Sequence, residues 1–182
     1  MYESVIMSGY GGQGILLMGQ LLCYAGMQEG LNVTWMPSYG PEMRGGTANC
    51  TVILSTARVG SPVTRHPSSL IAMNKPSLDR FESAVMPAGL LIVNSSLVEK
   101  DHFRPDLQII KVPANKIAEE IGSLQVTNMA ALGAYIMAKK IVPLEAAIAA
   151  LSKMIPAHRQ ELLPINEKAL RQGAEFALKN LK

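Results

Sequence analysis

Six consecutive residues near the amino terminus have the types and spacing of a phosphate-binding loop. Gly9-Tyr10-Gly11-Gly12-Gln13-Gly14 matches the pattern GxGxxG and lies between an apolar run typical of a strand and a stretch typical of a helix. Such glycines let the backbone approach a ligand closely, and the helix start offers unpaired N–H groups to an anion. The alternative is a bare strand-to-helix turn, in which Gln13 caps the helix rather than contacting a ligand.

A second candidate is the glycine-rich loop from Pro37 to Thr47, which contains one arginine and one glutamate. Arg44 could hold a phosphate or carboxylate through its planar guanidinium group, or it could be a solvated surface charge. Tyr39 could stack on an adenine or pack beneath the loop. Glu42 is the first carboxylate after the second strand and lies inside this loop, so the ribose-binding acid of NAD enzymes is missing.

Alternating short aliphatic runs and longer amphipathic stretches predict the elements that position these loops. The pattern indicates an α/β fold with three layers, in which helices flank a mainly parallel, Rossmann-like sheet. Asn128 is predicted to cap a helix, and Pro143 to lie in the first turn of another. The predicted strands are residues 3–8, 32–36, 47–55, 70–73, 90–93 and 108–112, and the predicted helices include 14–29, 128–140 and 166–180, with 60–69 a loop or edge hairpin.

In an open parallel sheet, ligands bind beyond the carboxyl ends of the strands. The predicted strand ends bring the glycine loop, Ser38, Tyr39, Asn74 and Asn94 to one rim. These are short polar groups and backbone amides. The predicted rim contains neither a nucleophile beside a base nor a pair of carboxylates. The rim therefore favours binding over bond breaking.

Composition narrows the function classes. A chain of 182 residues, 48% of them hydrophobic, predicts one domain over residues 1–182. The net charge of +3 is scattered, which disfavours nucleic acid as a partner, and no apolar run approaches the roughly 20 residues of a membrane span. Residues 1–8 lack the pattern of an export signal, so we expect a cytoplasmic protein.

The cysteines and histidines show no metal-binding spacing. Cys23 and Cys50 form no CxxC pair, and we interpret both as small buried hydrophobic residues. His66, His102 and His158 are isolated in the sequence, and we interpret them as ordinary surface or hydrogen-bonded residues. We therefore expect no metal ligand in this chain.

The sequence resembles the gamma subunit of 2-oxoacid:ferredoxin oxidoreductases, especially the separate-chain 2-oxoglutarate and related types. The resemblance runs nearly end to end, and Glu42-Met43-Arg44-Gly45-Gly46 is its most specific part. The segments that carry it are Gly9–Gly14, Trp35–Cys50, Met73–Asp79, Asn94–Ser96 and Asn128–Ala134.

The resemblance implies a complex that oxidatively decarboxylates a 2-oxoacid, reduces ferredoxin and releases an acyl-coenzyme A. Partner subunits of the alpha, beta and delta types would carry thiamine diphosphate and iron–sulfur clusters, whereas this chain would bind coenzyme A as co-substrate and pack against them. The sequence agrees, because it has neither a GDG-type motif nor a cysteine cluster. The isolated chain would be inactive and could self-associate through its partner surface.

On this resemblance, the pyrophosphate of coenzyme A or an acidic group of a partner would face the glycine loop, with Arg44 as a further anion contact. Two other hypotheses stay open: a scaffold whose loops contact only protein, and a stand-alone NAD-dependent oxidoreductase. The residues predicted to bind the co-substrate are Gly9, Gly11, Gly12, Gln13, Gly14, Ser38, Tyr39, Arg44 and Asn74.

Overall fold

The structure is a computed structural model that describes residues 1–39 and 47–181, without the side chain of Tyr39. Within these ranges the strands are β1 (Tyr2–Tyr10), β2 (Asn32–Tyr39), β3 (Thr47–Ser55), β4 (Ser69–Ala72), β5 (Leu90–Asn94) and β6 (Gln108–Val112). The α-helices are α1 (Ile15–Gln28), α2 (Lys75–Phe81), α3 (Ala114–Ile121), α4 (Thr127–Lys139), α5 (Leu144–Met154) and α6 (Leu163–Asn180). Short 3-10 turns cover Glu82–Ala84, Leu124–Val126 and Ala157–Leu162.

The strands form one sheet in the order β2-β3-β1-β4-β5-β6. Strands β1, β4, β5 and β6 are mutually parallel, whereas β3 is antiparallel to both of its neighbours. Because β2 is antiparallel to β3, it runs in the same direction as β1. The carboxyl ends of five strands therefore meet at one edge, where β3 begins, and the predicted α/β fold is confirmed.

Each face of the sheet carries its own apolar cluster, because successive residues of a strand point to opposite sides. Val5 and Met7 of β1 join the larger cluster, under α1 and α3 to α6, while Ile6 between them joins the smaller one. The smaller cluster also contains Leu78 of α2 and Val98 of the β5–β6 connection. The three-layer prediction is confirmed, with most of the helical mass on one face.

Close packing of α4 on α6 depends on two glycines. A Cβ atom at Gly133 would overlap the backbone of Leu170, and one at Gly173 would overlap the backbone of Ala130. The absence of a side chain at these two positions therefore lets the two helix backbones touch. No helix in the described ranges is long and apolar enough to cross a membrane.

Several predicted boundaries are wrong by a few residues, and one cap is wrong. Helix α6 begins at Leu163 rather than at residue 166, and Pro143 directly precedes α5 instead of lying inside it. Val126, not Asn128, is the N-cap residue of α4, because a 3-10 turn leads into the helix. Asn128 lies within the first turn, and its buried amide reaches the glycine loop instead.

Candidate functional site

The glycine loop links β1 to α1 through a turn closed by a hydrogen bond from Gln13 N to Tyr10 O of 3.1 Å. Gly12 and Gly14 have φ of 95° and 69°, in the left-handed region that favours glycine. Gly14 is the N-cap of α1, and a Cβ atom there would overlap the Asn128 amide, which donates to Gly14 O at 3.2 Å. Conformation and packing therefore require glycine at position 14 whether or not a ligand binds.

Gln13 and Asn74 are joined to each other behind the loop. The Oε1 atom of Gln13 accepts a hydrogen bond from Tyr10 N at 2.6 Å and another from Asn74 Nδ2 at 3.3 Å. Asn74 is buried and also caps α2, since its Oδ1 accepts from Ser77 N at 2.9 Å. Gln13 thus does not cap α1. The Asn74 amide is buried and holds the loop through Gln13 rather than facing solvent.

A second buried amide continues this polar row under β5. Asn94 donates from Nδ2 to Asn115 Oδ1 at 2.8 Å and to Met73 O at 3.3 Å. The amide therefore ties the end of β5 to the start of α3 and to the residue before Asn74. The sequence predicted Asn94 at this rim but not its partner Asn115, which lies far along the chain.

The predicted contacts from the β2–β3 loop are only partly described. Ser38 is exposed and pairs with Asn49 of β3, which in turn pairs with Ser8 of β1. Two strand spacings, about 10 Å, thus separate Ser38 from β1. The backbone of Tyr39 ends β2, whereas its side chain and the whole of Arg44 lie outside the described residues.

A cavity of about 120 Å³ lies beside the glycine loop. Its lining residues are Gly12, Gln13, Asn115, Leu124, Gln125 and Thr127. Helices α1, α3 and α4 all begin around it, so the positive ends of their dipoles lie near this space. Among residues 1–39 and 47–181, no carboxylate lines the cavity. It is smaller than the roughly 300 Å³ of a drug-sized ligand site, so it suits one small anionic group rather than a whole nucleotide.

Chain topology explains why Asn115, Gln125 and Thr127 were missed from the sequence. Each lies at or next to the first residue of a helix or 3-10 turn, more than 100 positions after the glycine loop, and none belongs to a recognisable motif. A related omission is Arg80, whose Nη1 donates to Thr47 Oγ1 at 3.2 Å where β3 begins. Arg80 places a cation at the same edge of the sheet.

The thiols and imidazoles agree with their sequence interpretation. Burial raises the pKa of Cys23 and of Cys50 to about 12, so both thiols are protonated and poorly nucleophilic near neutral pH. All three histidines are exposed. Across residues 1–39 and 47–181, no group of three or more His, Cys, Asp or Glu side chains is arranged to hold a metal ion.

Comparison with sequence families gives a match over most of the chain. The model for "Pyruvate ferredoxin/flavodoxin oxidoreductase" matches residues 4–176. The ketoisovalerate oxidoreductase subunit VorA of Methanothermobacter marburgensis is 39% identical over 98% of this chain, which spans 37% of that protein's length. The 2-oxoglutarate synthase subunit KorC of the same organism is 30% identical over the full length of both chains.

Solved structures agree with the sequence match. The gamma subunit of a keto/oxoacid ferredoxin oxidoreductase from Geobacter sulfurreducens superposes with a TM-score of 0.83 at 30% identity, covering 97% of this chain and 99% of that one. The 2-oxoglutarate:ferredoxin oxidoreductase of Magnetococcus marinus has a TM-score of 0.90 at 23% identity, covering this whole chain and 32% of that one, and shows the shared fold. The chain therefore belongs to the pyruvate ferredoxin/flavodoxin oxidoreductase family.

Proposed function

We propose that this chain, as one domain over residues 1–182, is the gamma subunit of a 2-oxoacid:ferredoxin oxidoreductase. The complex would cleave carbon dioxide from a 2-oxoacid such as 2-oxoglutarate, join the acyl group to coenzyme A and pass the released electron pair to ferredoxin. The observation that carries the proposal is the end-to-end match to a separate gamma subunit, which covers 97% and 99% of the two chains.

The proposal assigns thiamine diphosphate and the iron–sulfur clusters to partner subunits of the alpha, beta and delta types. The two cysteines of this chain are each buried and protonated, which does not fit ligation of an iron cluster. We therefore assign no electron-transfer role to these two side chains. The contribution of this chain is to bind coenzyme A and to pack against its partners in the cytoplasm.

The site proposed for coenzyme A is the cavity beside the glycine loop. The starts of α1, α3 and α4 favour an anion there, and the cavity volume of about 120 Å³ suits one phosphate group rather than the whole molecule. The rest of coenzyme A would extend over the rim toward Ser38. The Magnetococcus marinus neighbour has coenzyme A bound, which supports coenzyme A as a ligand of the proposed complex.

Adding one negative charge to the cavity tests this site. Gln125 lines the cavity and is exposed, so Gln125→Glu should leave the fold intact while repelling a phosphate. A carboxylate within about 5 Å of a phosphate opposes binding by about 1–2 kcal/mol, which predicts roughly a tenfold higher KM for coenzyme A in the assembled complex. The matched control is Gln108→Glu, the same substitution at an exposed residue where β6 begins, at the opposite edge of the sheet.

The outcome of this pair is decisive for the coenzyme A site. A raised KM for coenzyme A only in Gln125→Glu, with the KM for the 2-oxoacid unchanged, supports the proposal. An equal KM for coenzyme A in both variants would mean that coenzyme A binds elsewhere in the complex.

A scaffold function is the second candidate, and one observation favours it. The glycine loop has its geometry without any ligand, because Gly14 packs on Asn128 and Gln13 pairs with Asn74. A scaffold predicts that neither glutamate variant changes any KM value. The same kinetic comparison therefore separates the two functions.

The oxidoreductase function itself is tested by native purification. The complex isolated through this chain should reduce ferredoxin or a viologen dye only when both a 2-oxoacid and coenzyme A are present. Purification of the chain without partner subunits and without this activity would contradict the proposal.

A further inference from the structure

A second cavity, of about 550 Å³, shares no lining residue with the cavity beside the glycine loop. Its lining comes from the β5–β6 connection (residues 101–105 and Leu107), from Ile109, Ile110 and Lys111 of β6, and from Asn180 at the end of α6. The volume lies within the range of roughly 300–1,000 Å³ that ligand pockets have. The cavity is therefore a candidate binding site that the proposed function does not use.

This cavity lies off the open edge of the sheet. Leu107, in one wall, belongs to the smaller apolar cluster, whereas α6, which ends at the other wall, packs into the larger cluster on the opposite face. A cavity cannot pass through a sheet, so one that is lined from both faces must lie outside β6, the last strand. We call the space between these two walls, with β6 as its floor, the edge groove.

The backbone of β6 offers unused hydrogen-bonding groups to the edge groove. The N–H group of Gln108 donates to Gly89 O at 2.9 Å, on the side of β5. Because successive residues of a strand direct their N–H and C=O groups to opposite sides, those of Ile109 and Lys111 point outward. Within residues 1–39 and 47–181, no hydrogen bond uses these two donors and two acceptors.

One wall of the edge groove is held in place by Arg104. Its guanidinium group forms two hydrogen bonds to Asp106, at 3.0 and 2.6 Å, and donates to the carbonyl oxygens of Glu82 and Val85 at 2.9 and 2.7 Å. Arg104 is therefore committed to the fold and does not serve as a cation for a ligand. A preformed wall lowers the conformational entropy that is lost when a ligand binds.

Lys111 supplies the cation of the edge groove. Its ammonium group lies 4.9 Å from the centre of the Phe103 ring, and the ammonium group of Lys100 lies 5.5 Å from the same ring. Lys100 pairs with the buried carboxylate of Glu82, whereas no carboxylate of the described residues forms an ion pair with Lys111. Asp101 also lines the groove but makes no such pair. An acidic group of a ligand therefore has a cation to meet there.

The two edges of the sheet differ in how they are protected against further pairing. Natural edge strands are blunted by proline, by bulges or by charged side chains. Strand β2 contains Pro37, whereas β6 contains no proline and pairs with β5 without a bulge from Gln108 to Val112. Lys111 is the only charge on β6. A lysine discourages an uncharged strand but favours one with an acid at the opposite position.

We infer that an extended, acidic segment of a partner protein binds in the edge groove as a strand added to β6. An extended backbone has donors and acceptors at the spacing of those on Ile109 and Lys111, which is how added strands are recognised. The acid of the segment pairs with Lys111. The two walls leave room for one strand between them.

A second copy of this chain does not meet these requirements. Its own β6 would arrive with both walls of its own groove, which would collide with the walls of the first copy. Two-fold pairing of the β6 strands would also set Lys111 close to the same residue of the other copy on one face of the sheet, where like charges repel. The edge groove therefore takes a single segment of another protein.

Titration of the purified chain with a synthetic peptide tests this inference. The probe is a seven-residue peptide of alternating glutamate and valine with blocked ends, which as a strand presents its carboxylates on one face. Hydrogen exchange followed by NMR should show that saturating peptide protects the amides of Ile109 and Lys111, because both then donate to the added strand. Physiological ionic strength screens charges outside the groove.

Matched changes separate backbone pairing from charge. Lys111→Glu in the chain, lysine in place of glutamate in the peptide, and N-methylation of the peptide backbone should each weaken binding at least tenfold. Lys153→Glu, the same substitution at an exposed lysine of α5, should leave the affinity unchanged. Circular dichroism verifies that both chain variants are folded, which their exposed positions favour.

Four results would overturn the inference. They are no binding at millimolar peptide, equal affinity for the N-methylated peptide, equal affinity of the Lys111→Glu and Lys153→Glu chains, and equal protection of the two amides by glutarate, a dicarboxylate without a peptide backbone. The inference goes beyond the proposed function. Peptide binding needs no oxidoreductase activity, so the two can fail independently.

Discussion

Replacing Gly14 by alanine should destabilise the fold by more than backbone strain alone. The φ of 69° costs an alanine about 1–2 kcal/mol. The added Cβ atom would also displace the buried amide of Asn128, which loses its 3.2 Å hydrogen bond to Gly14 O. A disturbed buried amide costs about another 2 kcal/mol, so we expect Gly14→Ala to lower the free energy of unfolding by about 3–4 kcal/mol.

Gly30 is the matched control for this substitution. Its φ of 74° is nearly the same, but an added Cβ atom would have no neighbour within 4 Å. Gly30→Ala should therefore cost only the strain of about 1–2 kcal/mol. Urea unfolding of the purified chain, followed by circular dichroism, measures both values.

A double-mutant cycle isolates the contact with Asn128. In an Asn128→Ala background the obstructing amide is gone, so Gly14→Ala should cost only about as much as Gly30→Ala does in the unaltered chain. Equal losses for Gly14→Ala and Gly30→Ala in the unaltered chain would refute the role given to Asn128.

Three further predictions concern the core and its buried polar groups. Gly173→Ala should destabilise by about 3 kcal/mol or more, because its Cβ would overlap the Ala130 backbone, whereas Gly122→Ala in open space should cost about 1–2 kcal/mol in the same urea assay. Glu3 is buried and accepts hydrogen bonds from Ser69 and Tyr135, so Glu3→Ala should lower the free energy of unfolding by about 3 kcal/mol. The control Glu145→Ala, at an exposed residue, should lower it by less than about 1 kcal/mol. Thermal unfolding measures both values. Burial raises the pKa of Cys23 to about 12, so above its unfolded pKa near 9 the unfolded chain loses a proton that the native chain keeps. The contribution of this thiol to stability therefore falls between these pH values. Cys23→Ala should cost about 1 kcal/mol less at pH 10 than at pH 8. An unchanged difference at the two pH values would contradict burial of this thiol.

The fold class could be predicted because local patterns carry it. The β-branched and aliphatic runs at 47–55 and 108–112 coincide with β3 and β6 to the residue. The direction of β3 was not predictable from such a run, since an apolar strand has the same composition whether its neighbours are parallel or antiparallel. The short connection from β2 to β3 is the physical reason for the antiparallel pairing, because parallel neighbours need a longer crossover.

The candidate site was predictable only where one short motif builds it. The GxGxxG spacing predicts a glycine turn between β1 and α1, but the partners that hold the loop, Asn74 and Asn128, are brought there by the fold. An isolated asparagine in a sequence gives no sign of the backbone group that it will meet. For that reason Asn128 was read as a helix cap, and the cavity-lining Gln125 was missed. The proposed binding roles of the predicted site residues stay predictions.

Omission and return of this chain test the central claim most directly. The partner subunits are reconstituted without it, and reduction of ferredoxin or a viologen dye is measured with a 2-oxoacid and coenzyme A. The account predicts no coenzyme A-dependent activity until the purified chain is added back, with the rate then rising in proportion to the chain until the complex is saturated. Full activity of the partner subunits in the absence of this chain would contradict its assignment as a functional gamma subunit.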